Sequence, residues 1–251
     1  MIGLVLVSHS PRLAEAALEL GMQMVHGDPP PVRIAAGADG RFGTDAAAVA
    51  AAIDELGGTG GAPGILVVTD LGSAVLSAGL ALELRESSTE VVVSAGPFVE
   101  GVTAGLVLAA TGAPLDEVAR EVAGALDAKR DQLEPPAAAS SPGPAVPVAA
   151  AAADPLSADE VLINPEGLHA RPAAMLVQAV GGYDAVVDVT NLTTGNGPVT
   201  AKSLIGLLSL GAKQGHRIRL DGRGPDAATA VSALRRLLAD GFGEVAAPAV
   251  P

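Results

Sequence analysis

The 251-residue chain has room for two ordinary domains, and nearly half of it is hydrophobic. It has no cysteine, which excludes disulfides, thiolate metal sites and cysteine nucleophiles. With one Tyr, three Phe and no Trp, its cores must be built from Ala, Val and Leu. The formal net charge is −13, with 17 acidic and 7 basic side chains in residues 1–132 against 9 and 8 in residues 157–251. An acidic, aromatic-poor chain is not expected to bind nucleic acid, and it has no basic patch for a membrane surface.

Met1–Val7 is apolar but short, with no basic flank and no small-residue cleavage site, so it reads as a buried strand rather than a signal peptide. No run approaches a membrane span, and a cytoplasmic location is expected. Ile2–Val7 is a continuous β-branched and leucine run, as in a strand covered on both faces. Ser10 can cap the next helix, with Pro11 at its first position and Leu13, Ala16, Ala17 and Leu20 at helical spacing. Val32–Ala36 is a second strand. Thr44 is expected to cap a helix that runs through Leu56 and ends at Gly57-Gly58. Ile65–Thr69 is a third strand, stopped by Asp70-Leu71-Gly72-Ser73, and a helix follows to about Arg85. Val91–Ser94 is a fourth strand. Helices are then expected near Val99–Ala110 and Leu115–Gln132.

Strands alternating with helices predict an α/β domain over residues 1–132, with a mainly parallel, doubly wound sheet. Sites in such sheets lie beyond the carboxyl ends of the strands. His9 follows the first strand and Asp70 the third. If those strands are neighbours, the carboxylate can hold one ring nitrogen protonated and leave the other as a nucleophile. The helix capped by Ser10 offers its N-terminus to an incoming phosphate.

Residues 133–156 form a Pro/Ala-rich linker; Glu134–Pro155 holds six prolines and nine alanines. Such a tether raises the effective concentration of one site near the other, to about mM for a flexible chain. Residues 157–247 read as a second, α+β domain. Strands are expected at Glu160–Ile163, Ala185–Thr190, Val199–Ala201 and Arg217–Leu220. Helices are expected from just after His169 to about Val180, at Ser203–Leu208 and at Asp226–Leu238.

In this second domain Gly167 permits a tight turn, His169 stands at a helix N-terminus, and Pro172 fits the first helical turn. The ring lies beside free main-chain N–H groups and the positive end of the helix dipole, with Arg171 adding a full charge. An imidazole so placed is suited to carry a phosphoryl group. Ser203 can cap the following helix. His26 and His216 have no motif around them and read as ordinary surface residues. Gly37-Ala38-Asp39-Gly40 and Gly57–Gly61 lack a Walker-type Lys-Ser/Thr, so direct nucleotide binding is not expected. No cofactor and no metal is expected either.

Two resemblances sharpen this reading. Gly167-Leu168-His169-Ala170-Arg171-Pro172-Ala173 resembles the active-site signature of HPr, the phosphocarrier of the bacterial phosphoenolpyruvate-dependent phosphotransferase system. Ala201–Gly211 resembles that family's second-helix segment. The likeness implies an open-faced sandwich with a four-stranded antiparallel sheet and helices on one face. It also implies phosphorylation of His169 by enzyme I at Nδ1, and it places Ser203 where some members accept a regulatory phosphate.

Ser8-His9-Ser10, Ala35-Ala36-Gly37, Gly43-Thr44-Asp45 and Asp70–Ala74 resemble the mannose-type enzyme IIA family. Within that family they resemble most the phosphotransfer subunits of phosphoenolpyruvate-dependent dihydroxyacetone kinases. This implies a homodimer through the first domain and a phosphohistidine at Nε2 of His9. It also implies partners beyond enzyme I and free HPr: an ADP-binding kinase subunit and a dihydroxyacetone-binding one. A sugar-transport IIA–HPr fusion, or a regulator controlled by phosphorylation, are the alternatives.

Overall fold

A computed structural model describes residues 1–133 and 156–244. The expected linker of residues 133–156 falls almost wholly outside the described residues, as does the end of the second domain at residue 247.

The first domain runs β1 (Gly3–Ser8), α1 (Pro11–Met22), β2 (Val32–Ala36), α2 (Ala46–Gly57), β3 (Gly64–Thr69), α3 (Gly72–Leu84), β4 (Glu90–Val93), α4 (Phe98–Ala110), α5 (Leu115–Ala123) and α6 (Asp127–Leu133). Its four strands are all parallel, in the order β2-β1-β3-β4. The chain steps from β1 to β2 on one side and to β3 and β4 on the other. The direction of winding therefore reverses between β1 and β3, the crevice where such sheets hold their sites. Alternation along β1 splits the core: Leu4 and Leu6 pack toward α1, α4 and α5, while Val5 and Val7 pack toward α2 and α3.

Two local expectations are corrected. The cap of α2 is Asp45, whose Oδ1 accepts from the Ala47 N–H at 2.9 Å, rather than Thr44. The Thr44 hydroxyl instead meets that of Ser77 at 2.8 Å. The helix expected over Leu115–Gln132 is two helices, because the chain leaves α5 at Gly124 and re-enters a helix at Asp127. Gly96, just before α4, lets α5 approach: a Cβ there would lie 2.0 Å from the Val122 carbonyl oxygen.

The second domain runs β5 (Leu156–Val161), α7 (Ala170–Gly181), β6 (Val186–Asn191), β7 (Asn196–Thr200), α8 (Leu204–Ser209), β8 (Arg217–Arg223) and α9 (Ala227–Ala239), closed by a 3-10 turn at Gly241–Gly243. Its antiparallel sheet has the order β5-β8-β6-β7. β5 begins four residues before the expected Glu160. It is an edge strand whose pairing to β8 starts at Leu156↔Gly222 and is flanked by the Asp159–Arg219 ion pair. Residues of α7 and α8 pack in the same apolar cluster as α4, so the two domains share one continuous core seam. Among the described residues, no helix is long and apolar enough to cross a membrane.

Candidate functional site

β1 and β3 are neighbours, so the residues just past their ends meet. The His9 ring Nδ1 lies 2.9 Å from Asp70 Oδ1. Asp70 Oδ2 accepts from the His9 main-chain N–H at 2.8 Å and from the Ser8 hydroxyl at 2.9 Å, and Oδ1 accepts from the Leu71 N–H at 2.6 Å. Burial pushes the Asp70 carboxyl up, but the bonds from the His9 main chain and ring, Leu71 and Ser8 outweigh it. The net result lies below the usual carboxylate range. An ionised Asp70 fixes the Nδ1–H tautomer of His9 and leaves Nε2 with the lone pair. Nε2 meets the Ser73 hydroxyl at 2.5 Å.

The N-termini of α1 and α3 both open at this ring. Ser10 caps α1, accepting from the Leu13 N–H, and Pro11 takes the first position. Gly43 donates its N–H to the His9 carbonyl, which draws the 37–43 loop over the end of β1. Phe42 and Leu71 stand exposed beside the site.

His169 is the N-cap of α7. Its Nε2 lies 2.8 Å from Glu244 Oε1, and Glu244 Oε2 accepts from the amide of the buried Asn164 at 2.9 Å. Glu244 thus holds the opposite nitrogen from the one held on His9, and Nδ1 keeps the lone pair. Because Pro172 has no N–H, the first turn of α7 presents the N–H groups of Ala170 and Arg171. Gly167 sits at φ +69°, and a Cβ there would lie 2.3 Å from the Ala212 carbonyl oxygen, so the turn into His169 demands glycine. A depression beside the ring is lined by Glu166, Ala170, Leu208, Gly211 and Lys213.

Other expected residues fall as follows. Arg171 is exposed and, among the described residues, its side chain makes no hydrogen bond or ion pair. Ser203 is the N-cap of α8 and accepts from the Gly206 N–H at 2.8 Å, so its hydrogen bonds satisfy the capping reading. Its hydroxyl also donates to Glu121 of the first domain. His26 is exposed but donates its main-chain N–H to Gln178 across the domain seam. His216 is half-buried and not a plain surface residue, since its Nδ1 meets the buried Asn191 amide at 3.1 Å.

Sequence reading missed Ser73, Glu244 and Lys213. Ser73 lies inside a segment already singled out, three residues after Asp70. Glu244 is 75 residues from His169, with no local signal to tie them.

Comparisons with known proteins agree with this two-part architecture. Residues 3–120 match the family model described as the PTS system fructose IIA component (EIIA-man), and residues 156–240 match the PTS HPr component phosphorylation site model. The chain is 42% identical to the phosphoryl donor subunit DhaM of the PEP-dependent dihydroxyacetone kinase of Klebsiella michiganensis, over 99% of this chain and 53% of that protein. It is 39% identical to the same subunit of Escherichia coli strain K12, over 100% of this chain and 52% of that protein. It is also 42% identical to the multiphosphoryl transfer protein of Salmonella typhimurium, over 36% of this chain and 24% of that protein. The chain spans about half the length of the DhaM relatives it matches. Over nearly its whole length the chain is similar to these DhaM subunits, with a match to the EIIA-man model followed by a match to the HPr model.

Proposed function

We propose that this chain relays phosphoryl groups from His169 to His9, and from His9 to ADP held on a dihydroxyacetone kinase subunit. Enzyme I, charged by phosphoenolpyruvate, or free HPr supplies the phosphate, and a further subunit presents dihydroxyacetone. One observation carries the reading: two carboxylates seat two imidazoles through opposite nitrogens, leaving Nδ1 of His169 and Nε2 of His9 as unlike nucleophiles.

Transfer between them balances without an added base. The Nε2 lone pair of His9 attacks phosphorus as the N–P bond to Nδ1 of His169 breaks, and that electron pair returns to Nδ1. The protons on His9 Nδ1 and His169 Nε2 stay where Asp70 and Glu244 hold them. Catalysis is then positioning and charge stabilisation. Ser73 swings from Nε2 to donate to the phosphoryl oxygens, and the N-termini of α1 and α3 face the same charge. At His169 the donors are the first N–H groups of α7, with Arg171 and Lys213 as cations.

The chain acts in the cytoplasm as a homodimer. The exposed apolar face of α3, with Val75, Leu76, Leu80 and Leu84, supports the pairing of first domains. Exposed Phe42 and Leu71 support docking of a protein acceptor at His9.

The test uses the full chain with radiolabelled phosphoenolpyruvate, enzyme I and both kinase subunits. Label should appear on both rings and then in dihydroxyacetone phosphate, and His9→Ala should stop the product. Label that reaches dihydroxyacetone phosphate with His9 replaced would overturn the relay.

A further inference from the structure

The mechanism uses neither Glu121 nor the seam it occupies. Glu121 projects from α5 of the first domain onto the start of α8 in the second. Its Oε1 accepts from the Ile205 N–H at 2.7 Å and from the Ser203 hydroxyl at 3.1 Å, and its Oε2 accepts from the same hydroxyl at 2.8 Å. A carboxylate from one domain therefore completes the helix cap of the other.

Gln178 makes a second clasp: its amide donates to the Met24 carbonyl at 3.0 Å and its Oε1 accepts from the His26 N–H at 3.1 Å. The helices also approach closely, since a Cβ at Gly181 of α7 would lie 2.6 Å from the Thr111 side chain.

This docking does not join the two imidazoles. Among the described residues, every partner of the His9 ring belongs to the first domain, and every residue lining the depression at His169 belongs to the second. The docking also sets the first domain beside surface that a donor needs. Ala170 and Leu208 line the His169 depression, and both also line the groove shared with Leu20 and Met24 of the first domain. A protein donor covers about 800 Å² per partner, a disc of about 16 Å radius centred on the ring it serves. Its footprint reaches the interdomain groove at those two residues.

We propose that the docked arrangement is a latched resting state, held by Glu121 on the cap of α8, which must open before a donor protein reaches His169. The shielding of His169 rests on the relay reading above; the latch itself does not. Burial in the seam pushes the Glu121 carboxyl up, against the bonds from Ile205, Ser203 and Leu204.

Ser203→Asp tests the latch in the full chain. Aspartate keeps the capping of α8, being as good an N-cap as serine, but sets a carboxylate against Glu121. Small-angle scattering should show a larger radius of gyration for this variant at unchanged helix content. Labelling of His169 by limiting enzyme I and phosphoenolpyruvate should quicken by about tenfold if the closed form holds about 90% of the molecules. Adding Glu121→Gln, whose amide can donate to Asp at 203, should restore both values.

An unchanged radius of gyration in Ser203→Asp overturns the latch. A larger radius with unaltered or slower labelling overturns the shielding. If no chain is labelled, wild type included, the relay reading fails and the radius of gyration alone judges the latch.

Discussion

The two histidines stand in similar places, each at the start of a helix, yet they are built differently. His9 is fixed by the body of its domain. Its carboxylate comes from the adjacent strand of a fully buried parallel pair, and Asp70 accepts four hydrogen bonds there. His169 hangs at the end of one helix, and its carboxylate comes from the far end of the domain and accepts two. The first ring is oriented by sheet topology and the second by a turn and a tail. On the relay proposed above, a carrier that visits two partners gains from such a site, while an acceptor at the carboxyl end of an inner strand gains from rigidity.

The largest effects come from removing the rings. His169→Ala should leave no label on the second domain, and His9→Ala should leave none on the first, each a loss beyond detection in single-turnover labelling.

Gly167→Ala should separate the sites through stability. At φ +69° and against the Ala212 carbonyl, it should cost the second domain about 1–3 kcal/mol or more. Calorimetry should show the melting of that domain about 4–8 °C lower per kcal/mol.

Exchanging the carboxylates then compares the two supports. A hydrogen bond to a charged group contributes about 1.5–3 kcal/mol, and 1.4 kcal/mol is tenfold. Asp70→Asn should slow transfer through His9 by about a hundredfold, and Glu244→Gln should slow loading of His169 by about tenfold. Equal losses would erase the distinction drawn between the sites.

The smallest effect is in acid. Asp70 has a folded pKa below its unfolded one, so the unfolded chain binds more protons between the two values and stability rises with pH there. Its contribution is present above the ordinary carboxylate range and is lost as pH falls through the lowered value. Urea unfolding of the first domain across that range should show a shallower acid loss in Asp70→Asn.

Much of this was legible in the residues. The apolar runs of β1 and β3 and the Ser10-Pro11 cap follow from local rules that the fold obeys. The meeting of His9 with Asp70 depended on β1 and β3 being neighbours, which periodicity alone does not decide. The break at Gly124 was hidden because an isolated glycine inside a helical pattern is tolerated. Glu244 was illegible because its tie to His169 is tertiary. Glu121 was illegible for another reason: on an amphipathic helix a glutamate on the polar face looks like a solvated charge, and only the second domain gives it partners.

Gly96 reaches further than its own loop. It makes room for the backbone of Val122, and the residue before Val122 is Glu121, whose carboxylate reaches the second domain. If the proposed latch holds, packing deep inside one lobe is geared to the freedom of the other. A substitution that merely thickens the interior at residue 96 would then be felt as looser or tighter traffic between lobes, without touching the side chains around His9 or His169.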